Sequence, residues 1–351
     1  AVRTSEPTKM TNTIRVAVLG ATGYSGNELV AILARHPRVE IAALFSSKGG
    51  ECVPFASLHP SLRGVMGPDV VPFSEEALAA AACEAVFLAT PNETSAELVP
   101  FVLSTGARVI DLSGSFRLKS AEAYPAWYGF AHPAPALLGE AVYGLTEACN
   151  GELAGARLVA NPGCYPTATL LALLPLAGML DPAQAIVVDA KSGVSGAGKK
   201  KELAYSFTEL AGNFKAYGIG VHRHEPEIRA QLGLGDGAPL VFVPHLLPVP
   251  RGILATLYVA FAEPQTVESI AAAYAQAYDG APFVHVHAPG SFPELRDVVG
   301  TPRAEIGFAI LDGGRRAVVV SAIDNLLKGA ASQAVQNFNR MYQFDEKEGL
   351  A

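Results

Sequence analysis

A short apolar strand, Ile14-Arg15-Val16-Ala17-Val18-Leu19, runs straight into Gly20-Ala21-Thr22-Gly23-Tyr24-Ser25-Gly26 and then into a helical pattern over 27–35. Strand, glycine turn and helix in that order mark the start of a dinucleotide-binding α/β unit. Gly20 permits the tight turn, Gly23 lets the backbone approach a pyrophosphate, and Gly26 lets the helix pack closely on the strand. Phosphate then lies at the helix N-terminus, where unsatisfied N–H groups and the helix dipole favour it. The spacing is GxxGxxG rather than GxGxxG, and Thr22, Tyr24 and Ser25 join the three glycines as candidate cofactor ligands.

An NAD site usually carries an acidic residue for the ribose 2′-hydroxyl at the end of the second strand. This chain has Leu44-Phe45-Ser46-Ser47-Lys48 there. Ser46, Ser47 and Lys48 suit an added 2′-phosphate, so the predicted cofactor is NADP(H). Strand-like segments recur at 69–73, 85–89, 108–112 and 157–160, which predicts a doubly wound, Rossmann-type parallel sheet over 14–162. Ligands bind beyond the carboxyl ends of such strands, where Thr90, Pro91 and the segment from Ser113 to Arg117 fall.

Immediately after that sheet comes Asn161-Pro162-Gly163-Cys164-Tyr165-Pro166-Thr167, followed by an apolar run over 168–176. Proline suits the first position of a helix, so Pro166 is expected to open one with Cys164 just ahead of it. A sulfur at the positive end of a helix is expected to ionise more readily and to act as a nucleophile. Cys52, Cys83 and Cys149 lack such surroundings and any CxxC spacing. Four scattered cysteines make neither a disulfide framework nor a metal site, and they fit a reducing, cytoplasmic setting.

Beyond Cys164 the pattern turns to longer β-rich runs at 185–190, 240–243, 253–262, 305–311 and 317–323. They predict an α+β catalytic domain over 163–324, its largely antiparallel sheet covered by helices on one face and free on the other for a homodimer or homotetramer interface. Within it, Ser192-Gly193-Val194-Ser195-Gly196-Ala197-Gly198-Lys199-Lys200 comes close to a phosphate-binding P-loop. Lys200 stands where a Mg²⁺-binding hydroxyl belongs, which argues against an ATPase; Ser192, Gly193 and Gly196 can instead face phosphate or nicotinamide. Val221-His222-Arg223-His224-Glu225-Pro226-Glu227 supplies two imidazoles beside a guanidinium, ahead of a helix opened by Pro226. An imidazole can take the thiol proton and return it later, and in an extended segment only one of the two would reach the sulfur.

The chain of 351 residues is 50% hydrophobic and 17% charged, with a formal net charge of −7 and no basic cluster beyond Lys199-Lys200-Lys201. A small-molecule partner is expected, rather than nucleic acid or a membrane. The polar opening 1–13 lacks the apolar centre of a signal peptide and is expected to be a disordered tail, with Met10 a candidate natural first residue.

These segments, together with Asp111-Leu112-Ser113-Gly114-Ser115-Phe116-Arg117 and Asp324-Asn325-Leu326-Leu327-Lys328-Gly329, resemble the N-acetyl-gamma-glutamyl-phosphate reductase family of the semialdehyde dehydrogenase superfamily. Tyr143-Gly144-Leu145-Thr146-Glu147 departs from the family, which usually has proline at the fourth position. The resemblance implies reduction of an acyl phosphate to a semialdehyde by NADPH, with Cys164 as nucleophile and His222 or His224 as acid and base. It implies Arg117, Arg223, Ser113, Glu227 and Lys199 on the substrate, Asn325 on the cofactor, and a C-terminal helix over 325–345 that rejoins the nucleotide domain. Aspartate-semialdehyde dehydrogenase and a carrier-linked lysine-pathway reductase share this chemistry, and a thiol redox sensor that binds NADP(H) is the reading from outside enzymology.

Overall fold

A computed structural model describes residues 13–149, 151–199, 203–235 and 237–350. The tail 1–13, apart from Thr13, and Lys200 and Lys201 lie outside them. Seven strands form the first sheet: β1 (Ile14–Leu19), β2 (Val39–Ser46), β3 (Val70–Pro72), β4 (Ala85–Leu88), β5 (Arg108–Asp111), β6 (Val142–Tyr143) and β7 (Leu158–Ala160). Their order is β3-β2-β1-β4-β5-β7-β6 and every pairing is parallel. The order reverses between β1 and β4, so the crevice beyond their carboxyl ends is the ligand site such sheets offer. β4 is continuously apolar, and β1 is so from Val16 onward, because helices cover both sheet faces.

The second sheet contains β8 (Ile186–Gly193), β9 (Lys215–Ala216), β10 (Leu240–Leu247), β11 (Ile253–Ala260), β12 (Val284–Val286), β13 (Ala304–Leu311) and β14 (Arg316–Ile323). Its order is β12-β13-β14-β11-β8-β10-β9. Only β8–β10 and β12–β13 pair in parallel, so the sheet is mixed and largely antiparallel. β11 shows the cause of its one-sided burial: Ile253, Ala255, Leu257 and Val259 point into the core, while Leu254, Thr256 and Tyr258 alternate outward.

Helix Cys164–Leu173 has every residue from Tyr165 onward buried, which suits a helix that is apolar all round. It packs on β11 and β14 and reaches the turn of π-helix at Leu327–Ala331. The following helix, Ser332–Met341, places Ala334, Val335, Phe338 and Met341 in the same core as Val16, Val18, Leu29 and Leu33 of the first sheet and its first helix. The chain therefore returns to the unit in which β1 lies, and Cys164 sits at the seam. No helix among the described residues is long and apolar enough to cross a membrane.

Candidate active site

The glycine turn fits a dinucleotide phosphate. Gly20 has φ +80° and a Cβ there would lie 2.3 Å from Ala89 O; one on Gly26 would lie 2.2 Å from Gly20 O. These two are glycine because backbone lies against backbone. Gly23 meets nothing closer than 3.4 Å, leaving its outer side open to a ligand. Helix Tyr24–Leu33 begins there with no side-chain cap and no acidic residue in its first turn, so its first N–H groups face outward. Lys199, expected at the substrate, donates instead to Thr22 O and sits 5.3 Å above the Tyr24 ring, which brings a cation to this turn.

Other expected cofactor residues divide in the same way. Ser46 closes β2 with its side chain turned inward, donating to Glu51 O at 3.3 Å and Val71 O at 3.4 Å. Ser47 and Lys48 remain exposed. Thr90 bonds Ser95 at 2.7 Å, and Pro91 precedes helix Asn92–Ser104. Asn325 is buried, its amide donating to Ser195 Oγ at 2.9 Å and accepting from Gly252 N at 2.7 Å. It thereby shapes the 192–197 turn, in which Ser192, Gly193 and Gly196 line a cavity of about 470 Å³.

Cys164, Arg223, His222 and His224 line that same cavity. Cys164 is itself the first residue of its helix, two positions earlier than expected. Proline in the first turn lacks only an N–H that would have no helical partner, so Pro166 allows the earlier start. The same holds for Pro226, whose helix runs His224–Gln231. That early start overturns the expectation of two imidazoles pointing apart: their ring centroids are 4.8 Å apart and both meet the Tyr165 ring edge-on.

Burial decides the ionisation here. It pushes the Cys164 thiol up to about 11, against the lowering effects of Arg117 and the Tyr165 N–H. This reverses the expected helix-lowered thiol, because removing the anion from water outweighs the favourable groups around it. Burial and then Arg223 bring His222 down to about 4; His224 lies well below its ordinary value through burial, His222, Arg117 and Arg223. Both directions favour the neutral forms, thiol and imidazole. His222 Nδ1 accepts from the His224 N–H at 3.2 Å, which assigns its proton to Nε2. His224 Nε2 faces the turn before the sulfur, 2.6 Å from where a Gly163 Cβ would stand.

Three residues expected on the substrate have protein partners instead. Ser113 is buried and bonds Asp111 at 2.7 Å. Arg117 reaches Asn161 O at 2.8 Å, Leu112 O at 2.8 Å and Glu227 Oε2 at 3.2 Å. Glu227, fully buried, accepts from Gly163 N and from Tyr143 OH, both at 2.7 Å. Arg117 and Glu227 therefore brace the back of the turn that precedes Cys164. Gly329 completes that support, since a Cβ on it would lie 2.8 Å from Cys164 Cβ. Trp127, Lys215 and Tyr217 line the cavity without a sequence signal; nothing in their local spacing marks them, and only the fold brings them to the sulfur.

Comparison with known proteins gives this arrangement its family. Residues 15–156 match the family model described as semialdehyde dehydrogenase, NAD binding domain, and 164–325 the one described as semialdehyde dehydrogenase, dimerisation domain. N-acetyl-gamma-glutamyl-phosphate reductase of Halorhodospira halophila is 48% identical over 343 residues, covering 96% of this chain and 98% of the relative. The protein of that name from Pseudomonas entomophila is 46% identical over 344 residues, with the same coverage. Among solved structures, aspartate semialdehyde dehydrogenase II of Vibrio cholerae complexed with ASA superposes with a TM-score of 0.71 at 18% identity, over 95% of this chain and 99% of that one. A probable aspartate-semialdehyde dehydrogenase from Pseudomonas aeruginosa gives 0.68 at 24%, over 93% and 98%; both likenesses speak to the fold. With full-length relatives at this identity, the chain belongs to the N-acetyl-gamma-glutamyl-phosphate reductase family, within the semialdehyde dehydrogenases.

Proposed function

We infer that this chain reduces N-acetyl-L-glutamyl 5-phosphate to N-acetyl-L-glutamate 5-semialdehyde with NADPH, releasing phosphate, as a step of arginine biosynthesis. The observation that carries the reading is Cys164 at the head of a buried helix, sharing one cavity with two imidazoles and Arg223, in a chain 48% identical to a reductase of that name. The glycine turn, with Lys199 beside it and Ser47 and Lys48 at its flank, would hold the dinucleotide. When bound, its nicotinamide supplies a hydride.

The protein's own part is proton and acyl transfer. As Cys164 Sγ attacks the acyl carbon, the thiol proton passes to His224 Nε2, the C–O bond to phosphate breaks, and that proton leaves with the phosphate. A thioester on Cys164 remains. Reduction of its carbonyl gives a thiohemiacetal oxyanion that expels the thiolate, and the sulfur regains its proton from solvent, relayed by His224. Pro166 has no N–H, Gly163 N–H is held by Glu227 and Thr167 N–H by Gly163 O. The Cys164 N–H is the donor this turn offers to the oxyanion. His222, carrying its proton on Nε2, donates into the cavity, and Arg223 is the exposed guanidinium for a substrate phosphate or carboxylate.

Roles assigned this way separate the two histidines. His224→Asn is expected to lower kcat by about two to four orders of magnitude, the scale of a lost general base, whereas His222→Asn raises KM more than it lowers kcat. Steady-state kinetics on both variants check this, and equal, wild-type kcat in both places the base elsewhere. The function itself is tested by turnover of N-acetylglutamyl phosphate and aspartyl phosphate with NADPH and with NADH. Preference for the N-acetylated substrate and for NADPH is expected; NADH preference removes the 2′-phosphate role from Ser47 and Lys48.

The outward face of the second sheet, with Val241, Leu254, Tyr258, Val318 and Val320 on alternating positions, supports a homodimer or homotetramer through the matched dimerisation domain. All four cysteines are free, which supports a reducing compartment such as the cytoplasm.

A further inference from the structure

Trp127 is the single tryptophan of the chain. It lies on the short helix Ala123–Tyr128, whose neighbouring aromatics bolt it to the strand end after β5. The Tyr124 and Tyr128 rings stack with centroids 5.2 Å apart, Tyr124 meets His132 at 4.7 Å, and His132 meets Phe116 at 5.0 Å. A Cβ on Gly114 would stand 2.3 Å from the Tyr128 ring, so helix and turn are in close contact. With Tyr124 and Tyr128 buried in this cluster, the half-buried Trp127 is left lining the cavity that holds Cys164 and both histidines.

The lining divides into two groups. Ser192, Gly193, Gly196 and Ala197 belong to the turn that Lys199 and Asn325 tie to the glycine turn and to β11's approach, which is the cofactor side. Trp127, Lys215, Tyr217 and Arg223 have no such tie and remain for the substrate. Among the described lining residues there are two cationic side chains, Lys215 and Arg223, and no carboxylate.

We propose that Trp127 is a specificity residue, its indole forming the wall on which the N-acyl group of the substrate packs, in a site that rejects acyl phosphates carrying a free α-ammonium. The proposal rests on the function inferred above and adds how the site reads the substrate's blocked nitrogen. A neutral amide with a methyl group gains by burial against the indole, whereas an ammonium would enter a cavity with two cations and no anion to pair with it. An indole face attracts a cation, and Lys215 and Arg223 oppose that attraction.

The test compares kcat/KM for N-acetyl-, N-formyl- and unblocked glutamyl phosphate in wild type and in Trp127→Ala, with the alkylation rate of Cys164 as the measure of an intact site. Wild type is expected to favour N-acetyl over N-formyl by about tenfold, the scale of one methyl group in a fitted pocket, and to turn over the unblocked compound hardly at all. In Trp127→Ala the acetyl-to-formyl ratio should fall below about twofold, chiefly through KM, with Cys164 alkylation unchanged. An unchanged ratio overturns the proposal alone. Wild type that reduces none of the three but reduces aspartyl phosphate overturns the function beneath it as well. Should Trp127→Ala fail to fold, the intrinsic fluorescence of the wild type reads the same contact: N-acetyl-L-glutamate is expected to change Trp127 emission and L-glutamate is not. Equal responses to both, or none, overturn the proposal.

Discussion

Cys164→Ser is expected to lower turnover by at least about a thousandfold while leaving the fold and cofactor binding intact, since a hydroxyl in this position is a far weaker nucleophile than a thiol. The exchange is nearly isosteric, and the supports of the turn are not atoms of the sulfur. Glu227 holds Gly163 N, Thr167 N caps Gly163 O, and Arg117 holds Asn161 O. Steady-state rates beside a thermal melt check it, and comparable activity with a wild-type melt removes Cys164 from the mechanism. The pH dependence has a definite sign. With the thiol raised to about 11, its thiolate fraction grows with pH, so alkylation by iodoacetamide should climb about tenfold per unit through the neutral range. With His222 near 4 and His224 well below its ordinary value, both imidazoles stay neutral above mild acid. An alkylation rate already level at neutral pH would restore a helix-stabilised resting thiolate.

Glu227→Ala is expected to destabilise the protein by about 3–5 kcal/mol, because it leaves the buried Arg117 guanidinium without its anion. It also frees Gly163 N and Tyr143 OH, so kcat in the folded fraction should fall more than KM rises, the mark of a misplaced nucleophile. Glu227→Gln keeps an acceptor for both donors and should lose less. Removing the cation as well, in Glu227→Ala with Arg117→Met, should recover part of the lost stability, since the remaining penalty belongs to an unpaired charge. Chemical denaturation with kinetics on all three variants decides it. A wild-type midpoint in Glu227→Ala would mean that this pair does not brace the turn.

The local geometry of the site was legible in sequence where one segment contains it whole. Gly20, Gly23 and Gly26 lie within a single strand-turn-helix unit, where the structure has two close backbone contacts and one open position. Cys164 likewise has its helix beside it in the chain. Local sequence is silent where a residue's partner is far away in the chain. Arg117 and Glu227 are 110 positions apart, and only the fold shows them paired with each other behind the Cys164 turn. Lys199 meets Thr22 across 177 positions, a contact with the glycine turn that no local pattern announces.

The sequence by itself therefore determined the parallel sheet followed by a largely antiparallel one, the glycine turn after the first strand, and a cysteine beside the start of a buried helix. Each of these rests on periodicity, glycine freedom or proline geometry, which act over a few neighbouring residues. Only the tertiary structure decided that both imidazoles share the cavity with Cys164, that Trp127 joins them, that Arg117 and Glu227 stand behind the turn, and that burial pushes the Cys164 thiol up. Those are matters of burial and long-range contact. The cost of removing a charge from water depends on everything packed around it, and no local stretch of chain contains that information.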